Sequence, residues 1–135
     1  ANTLATVFAL FVLIEVLGPV SGAHFNPVVT AVLQSKGPGT RAGRAWIALV
    51  FIASQLLGAV AGAALAHAMF ELPILQASAR VRTGAGQWAG EFTATFALLS
   101  VVWGCARHHP HATPYAVACV IAGAYWFTSS TSFAN

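Results

Sequence analysis

Residues 21–35 read Ser21-Gly-Ala-His-Phe-Asn-Pro-Val-Val-Thr-Ala-Val-Leu-Gln-Ser35. The first part is small and irregular; then Asn26 is followed by Pro27. Asn is a favoured N-cap because its side-chain oxygen accepts unpaired N–H groups of the first turn. Pro is favoured at the first helical position, where its missing N–H costs nothing. The pair therefore predicts a helix over 27–35. A helix of that length rises about 14 Å, half of a bilayer core about 30 Å thick. Two readings are open: an interfacial turn with a short surface helix, or a half-helix that enters a membrane and stops midway. Irregular backbone at membrane depth is tolerated only where protein buries it or it lines a water-filled cavity. A half-helix there aims its positive dipole end at that cavity.

The rest of the chain sets the medium. Of 135 residues, 58% are hydrophobic and 7% charged, with a mean hydropathy of +0.75. A soluble domain carries roughly 25% charged residues. Six basic and three acidic side chains cannot clothe a globule of this size. A net charge of +3, scattered along the chain, is no electrostatic footprint for phosphate. The composition argues against a soluble enzyme and against a nucleic-acid partner. Four apolar stretches, 2–20, 45–70, 86–106 and 114–129, reach or approach the length of a membrane span. None alternates with period two, which argues against a β-barrel. The expected class is all-α transmembrane.

Charge is confined almost wholly to the connections. Lys36, Arg41 and Arg44 precede the second stretch, Glu71, Arg80 and Arg82 precede the third, and Arg107 precedes the fourth. With the first and third connections cytoplasmic, the positive-inside rule is met. Trp46, Trp88, Trp103 and Trp126 sit near span ends, as interface anchors do. Cys105 and Cys119 give neither a disulfide framework nor a metal spacing.

The last six residues, Ser130-Thr-Ser-Phe-Ala-Asn135, share a character with Ser21-Gly-Ala-His-Phe-Asn26. Both are small-residue runs that follow an apolar helix and end in Asn. A weak internal repeat of this kind is the mark of inverted-topology membrane folds.

On these residues the sequence resembles the aquaporin and glycerol-facilitator family of channels. Ser21-Gly-Ala-His-Phe-Asn-Pro27 is similar to the family's first Asn-Pro-Ala loop, with Val28 where Ala is usual. Gln55 with Leu-Leu-Gly58-Ala-Val-Ala-Gly62 resembles the third family helix. Gly90-Glu91-Phe92 with Thr95-Phe96 resembles the start of the fourth, and 128–135 resembles the approach to the second Asn-Pro-Ala loop. The resemblance implies an aquaporin-like right-handed helical bundle with an inverted repeat and a re-entrant half-helix. It also implies an incomplete one: a single channel domain over 1–135, truncated at both ends and matching spans two to five. The opening residues show no signal-peptide pattern.

The resemblance also assigns roles. The carbonyls of Gly22, Ala23, His24 and Phe25 would form one acceptor ladder, and those of Ser130, Thr131, Ser132 and Phe133 the other. The amides of Asn26 and Asn135 would donate to a solute where two half-helices meet, with Pro27 and Val28 completing the first motif. Family spacing puts three of the four filter positions at Thr6, Gly123 and Ser132; the fourth, an arginine, would lie beyond residue 135. All three are small, which implies a wide filter that admits water, glycerol, urea or undissociated arsenous acid. Glu91 would accept N–H groups of the second loop, and Gln55 would anchor the half-helix. A passive channel in a multi-pass membrane protein follows, a homotetramer among lipid, with no cofactor, no metal and no enzymatic activity. A bacterial plasma membrane is the expected location.

Several residues keep a second reading. Glu91, ionisable inside an apolar span, could be a proton relay instead of a structural acceptor. Glu15 lies half a turn round the helix from Thr6 and so faces away from any pore that Thr6 lines. His24 has no metal partner at ligand spacing and reads as a packed, hydrogen-bonded histidine. The run His108-His-Pro-His111 resembles a metal tract by composition but suits a partly cationic loop. Gly58 and Gly62 permit close helix contact. Competing functions are a secondary transporter built on inverted repeats, a membrane metalloenzyme using the His tract, and an inactive remnant.

Overall fold

A computed structural model describes residues 2–76, 78–79 and 81–134. Every regular element among them is helical. Helix α1 spans Asn2–Ser21, α2 Pro27–Ser35, α3 Arg41–Met69, α4 Ala85–His108 and α5 Thr113–Phe127, with a single 3-10 turn, Pro110–Ala112, leading into α5. Helices α1, α3 and α4 are long and apolar enough to cross a membrane. Their surfaces suit lipid: Leu4, Phe8 and Val16 on α1 and Leu56, Leu57 and Val60 on α3 are exposed, and neither helix buries a residue. Exposed apolar faces of that extent have no place in water.

Local chemistry explains where the helices stop. Helix α3 starts at Arg41, ahead of the apolar stretch that opens at residue 45. The Thr40 hydroxyl caps it by accepting the Gly43 N–H at 3.2 Å. Pro19 lies in the last turn of α1 and supplies no N–H to the Glu15 carbonyl. The helix then closes on a Gly22 N–H to Gly18 carbonyl bond of 2.9 Å. Helix α5 stops at Phe127, two residues short of the apolar stretch. Thr128 is extended, and its hydroxyl donates to the Ala124 carbonyl at 2.7 Å. That carbonyl also accepts the Thr128 N–H at 3.2 Å, the last i to i−4 bond of the helix.

The chain divides into two compact units. One holds residues 1–23 and 82–135; the other holds 24–81. In the first, α5 packs against both α1 and α4. Its core is made of small and branched side chains: Ala94 and Leu98 from α4, and Val117, Ala118, Ile121 and Ala124 from α5. Gly90 shows why small residues are needed. A Cβ there would lie 3.3 Å from the Thr128 Cβ, so the glycine lets the start of α4 press against the chain leaving α5. That approach brings Glu91, the next residue, to the loop it serves. In the second unit α2 packs on α3, with Val29 and the wholly buried Thr30 on the inner side of α2.

Candidate functional site

The loop after α1 and the loop after α5 share one backbone pattern. Gly22, Ala23 and Phe25 have φ of 79°, 45° and 43°; Thr131, Ser132 and Ala134 have φ of 62°, 48° and 50°. Each residue of the second set stands at the same register as its counterpart in the first. The hydrogen bonding repeats as well. The Ala23 N–H donates to the Ser21 hydroxyl at 3.3 Å, and the Ser132 N–H donates to the Ser130 hydroxyl at 3.2 Å. Left-handed conformations cost a non-glycine residue about 1–2 kcal/mol each, so five such residues do not recur in register without something holding them. The faint sequence repeat is thus a repeat of backbone shape. It reaches as far as Ala134; Asn135 lies outside the described residues.

The two loops are held by different chemistry. In the first, the Asn26 Oδ1 caps α2, accepting the Val28 N–H at 2.8 Å and the Val29 N–H at 3.2 Å. Pro27 occupies the first turn. Those bonds engage the oxygen end of the amide and so fix which way its nitrogen end faces. Behind the cap, Thr30 is the hub of a buried polar cluster. Its hydroxyl accepts from Gln55 Nε2 at 2.9 Å and lies 3.2 Å from His24 Nδ1. A hydroxyl has one hydrogen and two lone pairs, so its hydrogen is free to serve Nδ1 while a lone pair serves Gln55. The His24 ring also lies against Phe51, centroids 5.2 Å apart. Gln55 therefore ties α3 to α2 through Thr30. No hydrogen bond among the described residues ends on the carbonyls of Gly22, Ala23, His24 or Phe25.

In the second loop the holder is a carboxylate. Glu91 Oε1 accepts the Ser130 hydroxyl through a short hydrogen bond and the Phe133 N–H at 3.0 Å. Oε2 accepts the Ala134 N–H at 2.8 Å. Bonds to an ionised acceptor are about twice as strong as neutral ones. Ser130 and Ser132 are buried, and the Ser132 hydroxyl has no partner among the described residues. Over residues 1–132 this sequence matches the family described as Major intrinsic protein.

The chain belongs to that family. Along its whole length it is 49% identical to an aquaglyceroporin, AqpS, of Rhizobium meliloti (strain 1021), of which it covers 56%. Over 59 residues, 44% of the chain, it is 49% identical to an aquaporin-2 of Orycteropus afer, covering 50% of that sequence. Over a stretch of the same length it is 51% identical to the aquaporin-2 of Ovis aries, covering 20% of it. The chain spans about half the length of the first two of these relatives. No solved structure matches it.

The three positions that family spacing singled out lie on the major intrinsic protein chain as follows. Thr6, on α1, accepts a hydrogen bond from the Tyr125 hydroxyl of α5 at 3.2 Å. Gly123, on α5, has the Phe127 ring beside it: a Cβ there would lie 3.6 Å from the ring edge. Ser132 is buried in the second loop. Thr6 and Gly123 thus belong to one helix pair, α1 with α5, and each has an aromatic neighbour. Glu15 is exposed on α1. Sequence reasoning passed over three residues here. Thr30 carried one signal, a hydroxyl inside the apolar run Val28-Val-Thr-Ala-Val32, one turn beyond the cap. Tyr125 and Arg82 carried none, since their partners are 119 and 48 residues away.

Proposed function

We propose that the subunit to which this chain belongs is a passive transmembrane channel for water and small neutral solutes. The observation that carries the reading is the repeated left-handed backbone of the two loops, together with membership in the major intrinsic protein family. A solute entering a narrow pore sheds hydrogen bonds, and an unpaired polar group in such a setting costs several kcal/mol. The carbonyls of Gly22, Ala23, His24 and Phe25, and of Ser130, Thr131, Ser132 and Phe133, replace them as two acceptor runs. Left-handed residues at 22, 23 and 25 and at 131, 132 and 134 suit this work, because they keep the chain out of helix and strand and so leave carbonyls for a solute, although that of Ser130 also accepts from Thr131 Oγ1 and Arg82 Nη1. Asn26 donates from the end of a half-helix, α2, whose Oδ1 cap bonds hold the amide in place. Asn135 is its counterpart. Two positive helix ends at mid-membrane raise the barrier to cations and protons.

Thr6, Gly123 and Ser132 form three sides of the filter. All are small, and the similarity to an aquaglyceroporin supports a filter wide enough for glycerol or urea. The Phe127 ring beside Gly123 gives that wall an apolar surface suited to the carbon face of a polyol. Glu91 is a positioning residue that holds the second loop, and Gln55 is one that holds the half-helix α2 through Thr30. The subunit is a single channel domain of a homotetramer embedded in lipid, in a bacterial plasma membrane, with no cofactor. The test is glycerol and water flux into liposomes that carry the whole subunit. Glycerol uptake well above that of empty liposomes, indifferent to ion gradients, is expected. Uptake equal to empty liposomes ends the wide-filter reading, and uptake driven by an ion gradient ends the channel reading in favour of a secondary transporter.

A further inference from the structure

Arg82 lies in the connection between α3 and α4, outside every motif that marks the two loops. Its side chain nonetheless reaches the second loop twice. Nη1 donates to the Ser130 carbonyl at 3.4 Å, and the guanidinium carbon sits 4.7 Å from the centroid of the Phe133 ring. One contact uses the edge of the guanidinium and the other its face, so the charge is located by two groups in place of one. Ser130 also bonds Glu91 through its hydroxyl. The loop is therefore gripped from both sides of its polarity: the carboxylate takes its donors, and the guanidinium takes an acceptor.

The charge arithmetic of this grip has a consequence for permeation. A run of carbonyl oxygens does not by itself prefer a neutral solute; oxygen dipoles of this kind are what cation filters are made of. The Glu91 carboxylate beside the run adds a negative charge. With Arg82 in place, the loop carries one charge of each sign. Without Arg82, the loop's own groups, carbonyls and a carboxylate, favour a cation over a neutral solute and work against the barrier set by the helix ends.

We propose that Arg82 is a specificity-determining residue of the pore, a cation fixed on the Ser130 carbonyl at the start of the second acceptor run, which raises the barrier to small cations and leaves neutral solutes to pass. The inference rests on the channel reading and assigns charge selection to a residue between the motifs. Guanidinium and urea make the test, since both are small and planar with N–H donors and they differ by one charge. Tracer influx of each is measured into liposomes carrying the whole subunit. The Arg82→Gln variant is expected to raise the guanidinium-to-urea ratio about tenfold, about 1.4 kcal/mol. Arg82→Lys keeps the charge and is expected to hold the ratio within about twofold of native. Arg82→Met gives the same reading as Gln should the Gln variant fail to insert. A ratio unmoved by loss of the charge overturns the inference, as does a Lys variant that rises as far as Gln, because geometry and not charge would then be the agent. A native subunit that admits urea no faster than empty liposomes overturns the channel reading and this inference with it. Native urea influx with an unmoved ratio overturns this inference alone.

Discussion

Removing the Glu91 carboxylate tests how the second loop keeps its shape. Three residues of that loop, Thr131, Ser132 and Ala134, hold positive φ. At about 1–2 kcal/mol each, they store about 3–6 kcal/mol of backbone strain. Against this stand three hydrogen bonds to Glu91, from the Ser130 hydroxyl and from the Phe133 and Ala134 N–H groups. Hydrogen bonds to a charged partner contribute about 1.5–3 kcal/mol each, or about 4.5–9 kcal/mol together. The two sums are of one size, so Glu91 supplies a large share of what holds the loop, beside Arg82 and the Ser132 N–H to Ser130 hydroxyl bond. Glu91→Ala removes all three of these bonds and leaves the Arg82 contacts and the Ser132 N–H to Ser130 hydroxyl bond to oppose the strain. The loop relaxes toward ordinary backbone, its carbonyls turn away, and glycerol flux through the whole subunit in liposomes falls at least tenfold. Glu91→Gln keeps one acceptor oxygen but turns an amide NH2 toward a donor, so flux falls by an intermediate factor. The helices themselves owe little to this carboxylate, so helical content by circular dichroism stays at the native value in both variants. The ordering of the fluxes is the decisive readout. An alanine variant that conducts as native would refute the reasoning, because the left-handed loop would then persist without its holder.

Other parts of the site make their own predictions. Asn26→Ala removes the cap bonds to Val28 and Val29 and lowers stability by about 0.5–2 kcal/mol. Asn26→Asp keeps the cap and the melting temperature but adds a negative charge at the helix end, so cation leak rises; thermal melts in detergent and proton-flux assays separate the two. Thr30→Val leaves Gln55 Nε2 and His24 Nδ1 without their shared hydroxyl and costs about 1–3 kcal/mol, seen as a lower unfolding midpoint. Thr30→Ser is expected to restore most of it. Gly123→Leu narrows the wall beside Phe127, so the ratio of glycerol to water flux falls, whereas Phe127→Ala raises that ratio; stopped-flow light scattering on both solutes measures it.

The parts of the fold and site legible in the sequence were those written in local chemistry. Asn26-Pro27 declares the start of α2 because capping and proline geometry act within one turn. The apolar runs declare α1, α3 and α4 because length and hydropathy are enough to define a span. Gln55 and Glu91 stood out as polar groups in apolar helices, where an unpaired hydrogen-bonding group is costly and so has a partner. What stayed hidden depends on distance along the chain. The Tyr125 to Thr6 bond and the Arg82 to Ser130 bond join residues whose approach is fixed only after α5 docks on α1 and α4. The stop at Phe127 was hidden for a different reason. Thr128 and Ser129 lie within the fourth apolar stretch by composition, but the backbone turns extended at Thr128, whose N–H and hydroxyl both bond the Ala124 carbonyl.

One backbone shape held by two unlike anchors says which feature of the loops matters. Had the two loops merely descended from one sequence, their anchors would be expected to match as closely as their backbones. They do not: the first depends on a cluster of Thr30, Gln55 and His24, the second on a carboxylate and a guanidinium. The side chains at matched positions differ as well, Gly22 against Thr131 and Phe25 against Ala134, while their φ angles stay within the same left-handed region. Gly22 adopts that region without penalty, whereas Thr131, with its β-branched side chain, does so against a real cost. The second loop therefore carries more strain, and it is the one given the charged holder. Strength of anchor follows strain of backbone, as expected if the geometry of the carbonyls, and not the identity of the residues that bear them, is what function requires. Thr131→Gly follows as a direct check: it relieves strain without touching Glu91, so the Glu91→Gln flux defect shrinks in that background. A defect of unchanged size would mean that Glu91 acts through its charge and not through the shape of the loop.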